Sequence, residues 1–111
     1  MEFGTWPVPE MRLAGTLLVN GATGAVVSQT GAIIGTVTHP GNGQIQITLN
    51  TIGTPTDSNT AALIMANDGS ARIVQWAITT GDLFLESYDA AGIAANSGFL
   101  FALIFTSLPV G

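Results

Sequence analysis

The chain has no cysteine and no lysine, and its only basic residues besides one histidine are Arg12 and Arg72, against seven acidic side chains and a net charge of −5. Without cysteine there is no disulfide, no thiolate metal site and no thiol nucleophile. Without a cationic face, nucleic acid is excluded as a partner, because phosphate binding needs clustered positive charge. Long apolar runs are missing as well. The longest, residues 99–105 (FLFALIF), is far short of the ~20 residues that cross a bilayer as a helix, so membrane insertion is not expected. No basic segment leads into an apolar stretch, so no signal peptide is expected. No window of eleven or more residues carries a helical stripe bounded by caps.

What is present strains against a small monomer. Of 111 residues, 47% are apolar and only 8% charged, against ~25% charged in a typical soluble domain. One domain of this size buries only ~60–70% of its unfolded surface. Burial of the excess between subunits, or inside a larger particle, is the simplest resolution. Residues 1–5 (MEFGT) read as tag-like, since Glu-Phe and Gly-Thr are what two common restriction sites encode. Trp6-Pro7-Val8-Pro9 is expected to be an extended leader, because proline restricts its own φ and that of its predecessor. Residues 1–11 are therefore set apart from a single domain over 12–111.

Strand signals recur at short intervals: 12–19, 25–29, 32–38, 44–50, 61–66, 72–78, 83–88 and 99–106. The cleanest is 44–50, where Ile45, Ile47 and Leu49 alternate with polar residues as a half-buried antiparallel strand requires. Asn20-Gly21, Asn42-Gly43 and Asp68-Gly69 are expected to supply the positive φ of tight turns. Residues 51–60 form the longest polar loop and 89–96 a shorter one. The expected class is all-β, a sandwich or barrel of about eight strands. The closing strand is unusual: Phe99, Phe101, Leu103 and Phe105 line one face, and Leu100, Ala102 and Ile104 the other. A barrel wide enough to enclose it needs more chain than this. It is therefore expected to lie centrally, with one face in the core and the other against a neighbouring subunit.

Several residues together carry a resemblance to a known family. They are Val19-Asn20-Gly21, His39-Pro40-Gly41-Asn42-Gly43 leading into 44–50, the strand 83–88 followed by Asp89-Ala90-Ala91-Gly92, and the closing aromatic strand. Over residues 12–106 the chain resembles the jelly-roll heads of the complement-q and tumour-necrosis-factor superfamily, nearest to bacterial and phage versions that end fibres and surface filaments. The resemblance implies a jelly roll of eight to ten antiparallel strands in a compact homotrimer, its C-terminal strand near the three-fold axis. It implies an extracellular or virion-surface location. The chain is shorter than animal heads and has no recognisable counterpart of their charged calcium loops.

Chemistry-bearing residues are few. His39, the one imidazole, precedes a Pro-Gly turn and reads as a solvated strand-end residue, and no serine has a nucleophile-elbow context. Asp82 with Glu86 or Asp89 could in principle form a hydrolytic carboxylate pair, but Asp82 follows a glycine as ordinary turn chemistry. An enzyme is not expected. Asp57, Asp68, Asp82 and Asp89 fall in loops, where calcium takes its oxygen ligands, yet no calcium-loop spacing occurs, so no cofactor is expected, calcium remaining the one candidate. Glu86 is expected either to face outward or to pair with an arginine, Arg72 being closer in sequence. For ligand binding the candidates are Trp76, as an aromatic sugar platform, and a polar rim of Asp57, Ser58, Asn59, Asp68 and Arg72. For the trimer interface they are Tyr88, Phe99, Phe101, Leu103 and Phe105. The expected function is a non-enzymatic trimeric head of a phage or bacterial fibre or spike, serving trimerisation and attachment to a receptor or cell-surface glycan. A carbohydrate-binding lectin and a capsid or decoration subunit are the alternatives.

Overall fold

The computed structural model describes residues 11–110, so the leader over residues 6–9 and the tag-like start lie outside the described residues. Eight strands run β1 (Arg12–Asn20), β2 (Val26–Thr30), β3 (Ile34–Thr38), β4 (Gln44–Leu49), β5 (Thr60–Asn67), β6 (Ile73–Thr79), β7 (Asp82–Tyr88) and β8 (Phe99–Thr106). Each of the expected strands is present, with ends moved by one or two residues, and there is no helix among the described residues. The strands form two antiparallel four-stranded sheets. Sheet A has the order β2-β1-β8-β5 and sheet B the order β3-β4-β7-β6.

The alternation of the sequence becomes the layering of the fold. Leu17 and Val19 of β1, Ala62 of β5, and Leu100, Ala102 and Ile104 of β8 point inward from sheet A. Ile34, Ile45, Ile47, Leu49, Leu83 and Leu85 meet them from sheet B, and all are buried. Small Ala62 and Ala102 sit among branched side chains, which lets the facing layers interdigitate at interior packing density. Polar side chains also belong to this layer, among them Ser87 of β7. Thr60 and Thr106 are buried side by side, their hydroxyls 3.1 Å apart, and the Thr106 hydroxyl also donates to the carbonyl of Asn59 at 3.0 Å. Both hydroxyls thereby avoid the cost of an unmade buried hydrogen bond.

Three hairpins, β1–β2, β3–β4 and β6–β7, stay within a sheet, while the other connections cross between sheets. The β6–β7 hairpin turns on two residues, Thr80 (φ 53°) and Gly81 (φ 85°), both in the left-handed region that a tight primed turn demands. At β1–β2 the structure departs from expectation. The positive φ belongs to Gly24 (76°), whose N–H donates to the Asn20 carbonyl at 2.8 Å, and Gly21 is not in that region. Gly21 is needed for a different reason: a Cβ there would collide with the backbone carbonyl of Ser97. Gly43 (75°) and Gly69 (26°) do take positive φ, as the turn chemistry predicts.

Candidate functional site

Strand β8 is central in sheet A, flanked by β1 and β5 along its whole length. Its second face, with Phe99, Phe101, Leu103 and Phe105, points away from the core. The registers place a row of side chains beside each. Leu18 and Met65 flank Phe101, Thr16 and Leu63 flank Leu103, and Leu13 and Ala61 flank Phe105. Asn20 and Asn67 flank Phe99. These rows contain no ionised side chain. Leu13, Leu63 and Met65 are 54%, 58% and 57% exposed and Phe99 is 42% exposed, whereas Phe101, Leu103 and Phe105 are half-buried by their neighbours. The outer face of sheet A is thus a continuous apolar surface that nothing in residues 11–110 covers.

A shallow concavity of about 620 Å³ sits at one end of this face, lined by Leu18, Val27, Met65, Ala66, Asn67, Phe99 and Phe101. It arises where the β1–β2 ladder slips between Leu18 and Val19: Leu18 pairs Ser28 and Val19 pairs Val26, so Val27 is the extra residue of a bulge. A bulge re-aims a side chain, and here the re-aimed valine is 55% exposed. Sequence reasoning found the β8 residues and missed Leu13, Leu18, Val27, Leu63 and Met65. A signal was available for β5: residues 61–66 (AALIMA) are apolar on both faces, as β8 is. For β1 and β2 only the pairing reveals it.

Tyr88 does not join this surface. It lies at the end of β7, on the outer face of sheet B, in line with Asp82, Phe84 and Glu86. There the Tyr88 hydroxyl donates a short hydrogen bond to the Glu86 carboxylate, and the Gln75 amide donates to Glu86 at 2.9 Å and to the Tyr88 oxygen at 3.2 Å. These bonds, Tyr88 first and Gln75 second, hold the Glu86 carboxyl below its ordinary value of 4.5. The same bond to Glu86 raises the Tyr88 phenol above 10.0. Glu86 therefore faces outward, and its partners are Gln75 and Tyr88. Arg72, the expected partner, ion-pairs instead with Asp68 at 3.5 Å.

The candidate polar rim is divided between the two ends of the sandwich. Asp68 and Arg72 follow β5, whereas Asp57, Ser58 and Asn59 precede it, and a strand of eight residues separates them by about 25 Å. Asp68 accepts from the Gly98 N–H at 2.6 Å, and Arg72 Nε donates to the Asn96 carbonyl at 3.3 Å, so this pair ties the β5–β6 turn to the approach into β8. Asn59 receives Thr56 N–H and Thr60 hydroxyl donors at 2.8 and 2.9 Å and donates to the Thr54 carbonyl at 3.2 Å, which folds its own loop. Asp57 is exposed at that loop's tip. Trp76 points inward from β6 and packs against the core, half-buried. It does not present an open ring to solvent.

His39 is also structural. Its Nε2–H donates to the Asn96 side-chain oxygen at 2.9 Å, which accepts the Gly43 N–H at 2.7 Å as well, so His39 is half-buried at a junction of two loops. Asp82 accepts from the Gln46 amide at 2.7 Å, and Asp89 accepts the N–H groups of Ala91 and Ile93 at 2.9 and 3.0 Å. Among the described residues, no three His, Asp or Glu side chains converge as a metal site would require. No protein-family model, curated protein or solved structure matches this chain.

Proposed function

We propose that the protein is the non-enzymatic trimeric head of a phage or bacterial fibre or spike, built as a jelly roll and assembled through the outer face of sheet A. The single observation behind this reading is the uncharged apolar surface around Phe101 and Leu103, with Leu13, Leu63 and Met65 open to solvent. Single exposed apolar residues are ordinary on proteins, but a contiguous patch across three adjacent strands marks an interaction surface. Its occupant is other copies of the same chain. The five acidic side chains among the described residues, Asp57, Asp68, Asp82, Glu86 and Asp89, all stand off this face. Identical faces can then meet without like-charge repulsion, although the whole chain carries −5.

The strand order supports the roll. The first and last strands lie side by side in sheet A, β4 and β7 do so in sheet B, and the chain crosses between sheets at β2–β3, β4–β5, β5–β6 and β7–β8. That wrapping of the N-terminal strands around the C-terminal ones is compatible with a jelly roll. A ring of three follows from the resemblance to complement-q-like heads. Each leucine or phenylalanine fully withdrawn from water contributes about 1.5–3 kcal/mol, and burial of several across this face works against an association cost of about 4–15 kcal/mol. A head so assembled would turn sheet B and its loops outward, towards a receptor or host surface.

Sedimentation at micromolar concentration tests the assembly. The expected species has three times the chain mass of 11.4 kDa. The double substitution Leu63→Glu, Met65→Glu places charge on side chains more than half exposed, so it should leave the strand circular-dichroism signal intact and yield a single-copy species. A wild-type protein that sediments as one copy, or a double variant with unchanged mass, would end the proposal.

A further inference from the structure

The outer face of sheet B has a character opposite to that of sheet A. Along the central strand β7, Asp82, Phe84, Glu86 and Tyr88 alternate with the buried Leu83, Leu85 and Ser87, so all four project outward over a row of about 20 Å. Cross-strand partners stand on both sides. Gln46 and Ala77 flank Phe84, Gln44 and Gln75 flank Glu86, and Thr48 and Thr79 flank Asp82. Each carboxylate already holds a glutamine amide, Gln46 on Asp82 at 2.7 Å and Gln75 on Glu86 at 2.9 Å. Small Ala77 stands beside Phe84, which faces outward, half-buried, between those two amide–carboxylate pairs.

We infer that this face binds a neutral carbohydrate chain, with Phe84 and Tyr88 as stacking surfaces and Gln46, Gln75, Asp82 and Glu86 as hydroxyl acceptors. Gln75 spends its N–H groups on Glu86 and the Tyr88 oxygen and Gln46 spends one of its two on Asp82, so among these four polar side chains the acceptor oxygens far outnumber the free N–H groups. An acceptor-rich surface calls for a donor-rich partner, and sugar hydroxyls are donors. Polyanions are repelled, since neither arginine lies on the face. A metal or a compact cation is not favoured either. Asp82 and Glu86 are four residues apart on one strand, about 13 Å, too far to converge on one charge. Phe84 lies midway between them, where an aromatic ring can take the apolar face of a sugar while the flanking pairs take its hydroxyls. The cross-strand bonds hold the polar groups in place before binding, which reduces the ordering cost of association. This inference does not rest on the trimer: a single copy presents the same sheet. In a trimer three such faces would point outward, and a polymeric glycan would be held by avidity.

The test is titration of the 15N-labelled full chain with neutral hexasaccharides (β-1,4-glucan, α-1,4-glucan, β-1,4-mannan and β-1,4-linked N-acetylglucosamine), with tetralysine as the cationic probe. The expected result is saturable amide shifts on β4, β6 and β7 with at least one hexasaccharide. Phe84→Leu retains an apolar strand residue but no ring, and should weaken binding about tenfold. Gln75→Ala, which leaves the ring in place, should also weaken it, while Leu63→Glu, Met65→Glu on the opposite sheet should not. Absence of shifts on sheet B at about 10 mM saccharide, binding only by tetralysine, or affinity unaltered in both Phe84→Leu and Gln75→Ala would overturn the inference. Circular dichroism establishes that each variant is folded before its titration is read.

Discussion

Thr80 illustrates a local rule broken in favour of topology. It is a β-branched residue at φ 53°, the sole non-glycine residue with positive φ among those described. The left-handed region costs an ordinary L-residue roughly 1–2 kcal/mol, and asparagine enters it far more readily. The two-residue loop between β6 and β7 nevertheless needs two such residues in succession, and Gly81 supplies only the second. Thr80→Asn would convert the loop to the Asn-Gly pair that this turn prefers. The expected outcome is a gain of about 1 kcal/mol, read as a higher urea midpoint with an unchanged slope. A midpoint equal to or below wild type would show that the Thr80 backbone is not strained. Gly21 is the complementary case, since its freedom from a side chain matters through space, against Ser97, and not through its own φ.

At the scale of elements, β6 and β7 are joined outside the core by the Gln75–Glu86–Tyr88 cluster. Its pH dependence follows from the two shifts. The Glu86 pKa is lowered by folding, so its contribution is present above 4.5 and is lost as pH falls through the lower folded value. The Tyr88 pKa is raised by folding, so its contribution is present below 10.0 and is lost as pH rises through the higher folded value. Tyr88→Phe removes the phenol and its share of the Glu86 shift, leaving the share of Gln75. The stability difference between wild type and Tyr88→Phe should therefore be flat from about pH 5 to pH 9 and shrink on either side. Urea unfolding at a series of pH values measures it, and a difference that does not vary with pH would show that the cluster makes no pH-sensitive contribution. Lying at the surface, the cluster contributes little to stability, as surface pairs do.

For the whole molecule, two outer faces of opposite character define its two sides. Sheet A carries apolar residues on both surfaces, whereas the outer surface of sheet B is mixed, with amides, carboxylates and aromatic residues beside the exposed Ile73. A fold stabilised by association of sheet A has a thermal midpoint that depends on concentration, because mass action favours the folded assembly. Over about a hundredfold dilution in the micromolar range the midpoint should fall by several degrees. The Leu63→Glu, Met65→Glu variant should show no such dependence. A wild-type midpoint constant across that range would argue against assembly-linked stability.

The amino-acid sequence by itself determined the all-β class, the eight strands, the core positions on 44–50, and the two-faced nature of the closing strand. Each of these is local: a period of two and a turn dipeptide are visible within a few residues. Only the tertiary structure decided which strands are neighbours and which way each unshared face looks. Leu13, Leu63 and Met65 joined the Phe101 surface because β1 and β5 flank β8. Tyr88 left that surface because β7 belongs to the other sheet, and Trp76 turned inward because its alternation phase on β6 matches Val74 and Ile78. Alternation tells that two sets of side chains face opposite ways, but not which set meets the core when both are apolar or both mixed. That choice is made by pairing between residues as far apart as Leu13 and Phe105, where long-range burial outweighs any preference a short segment can express.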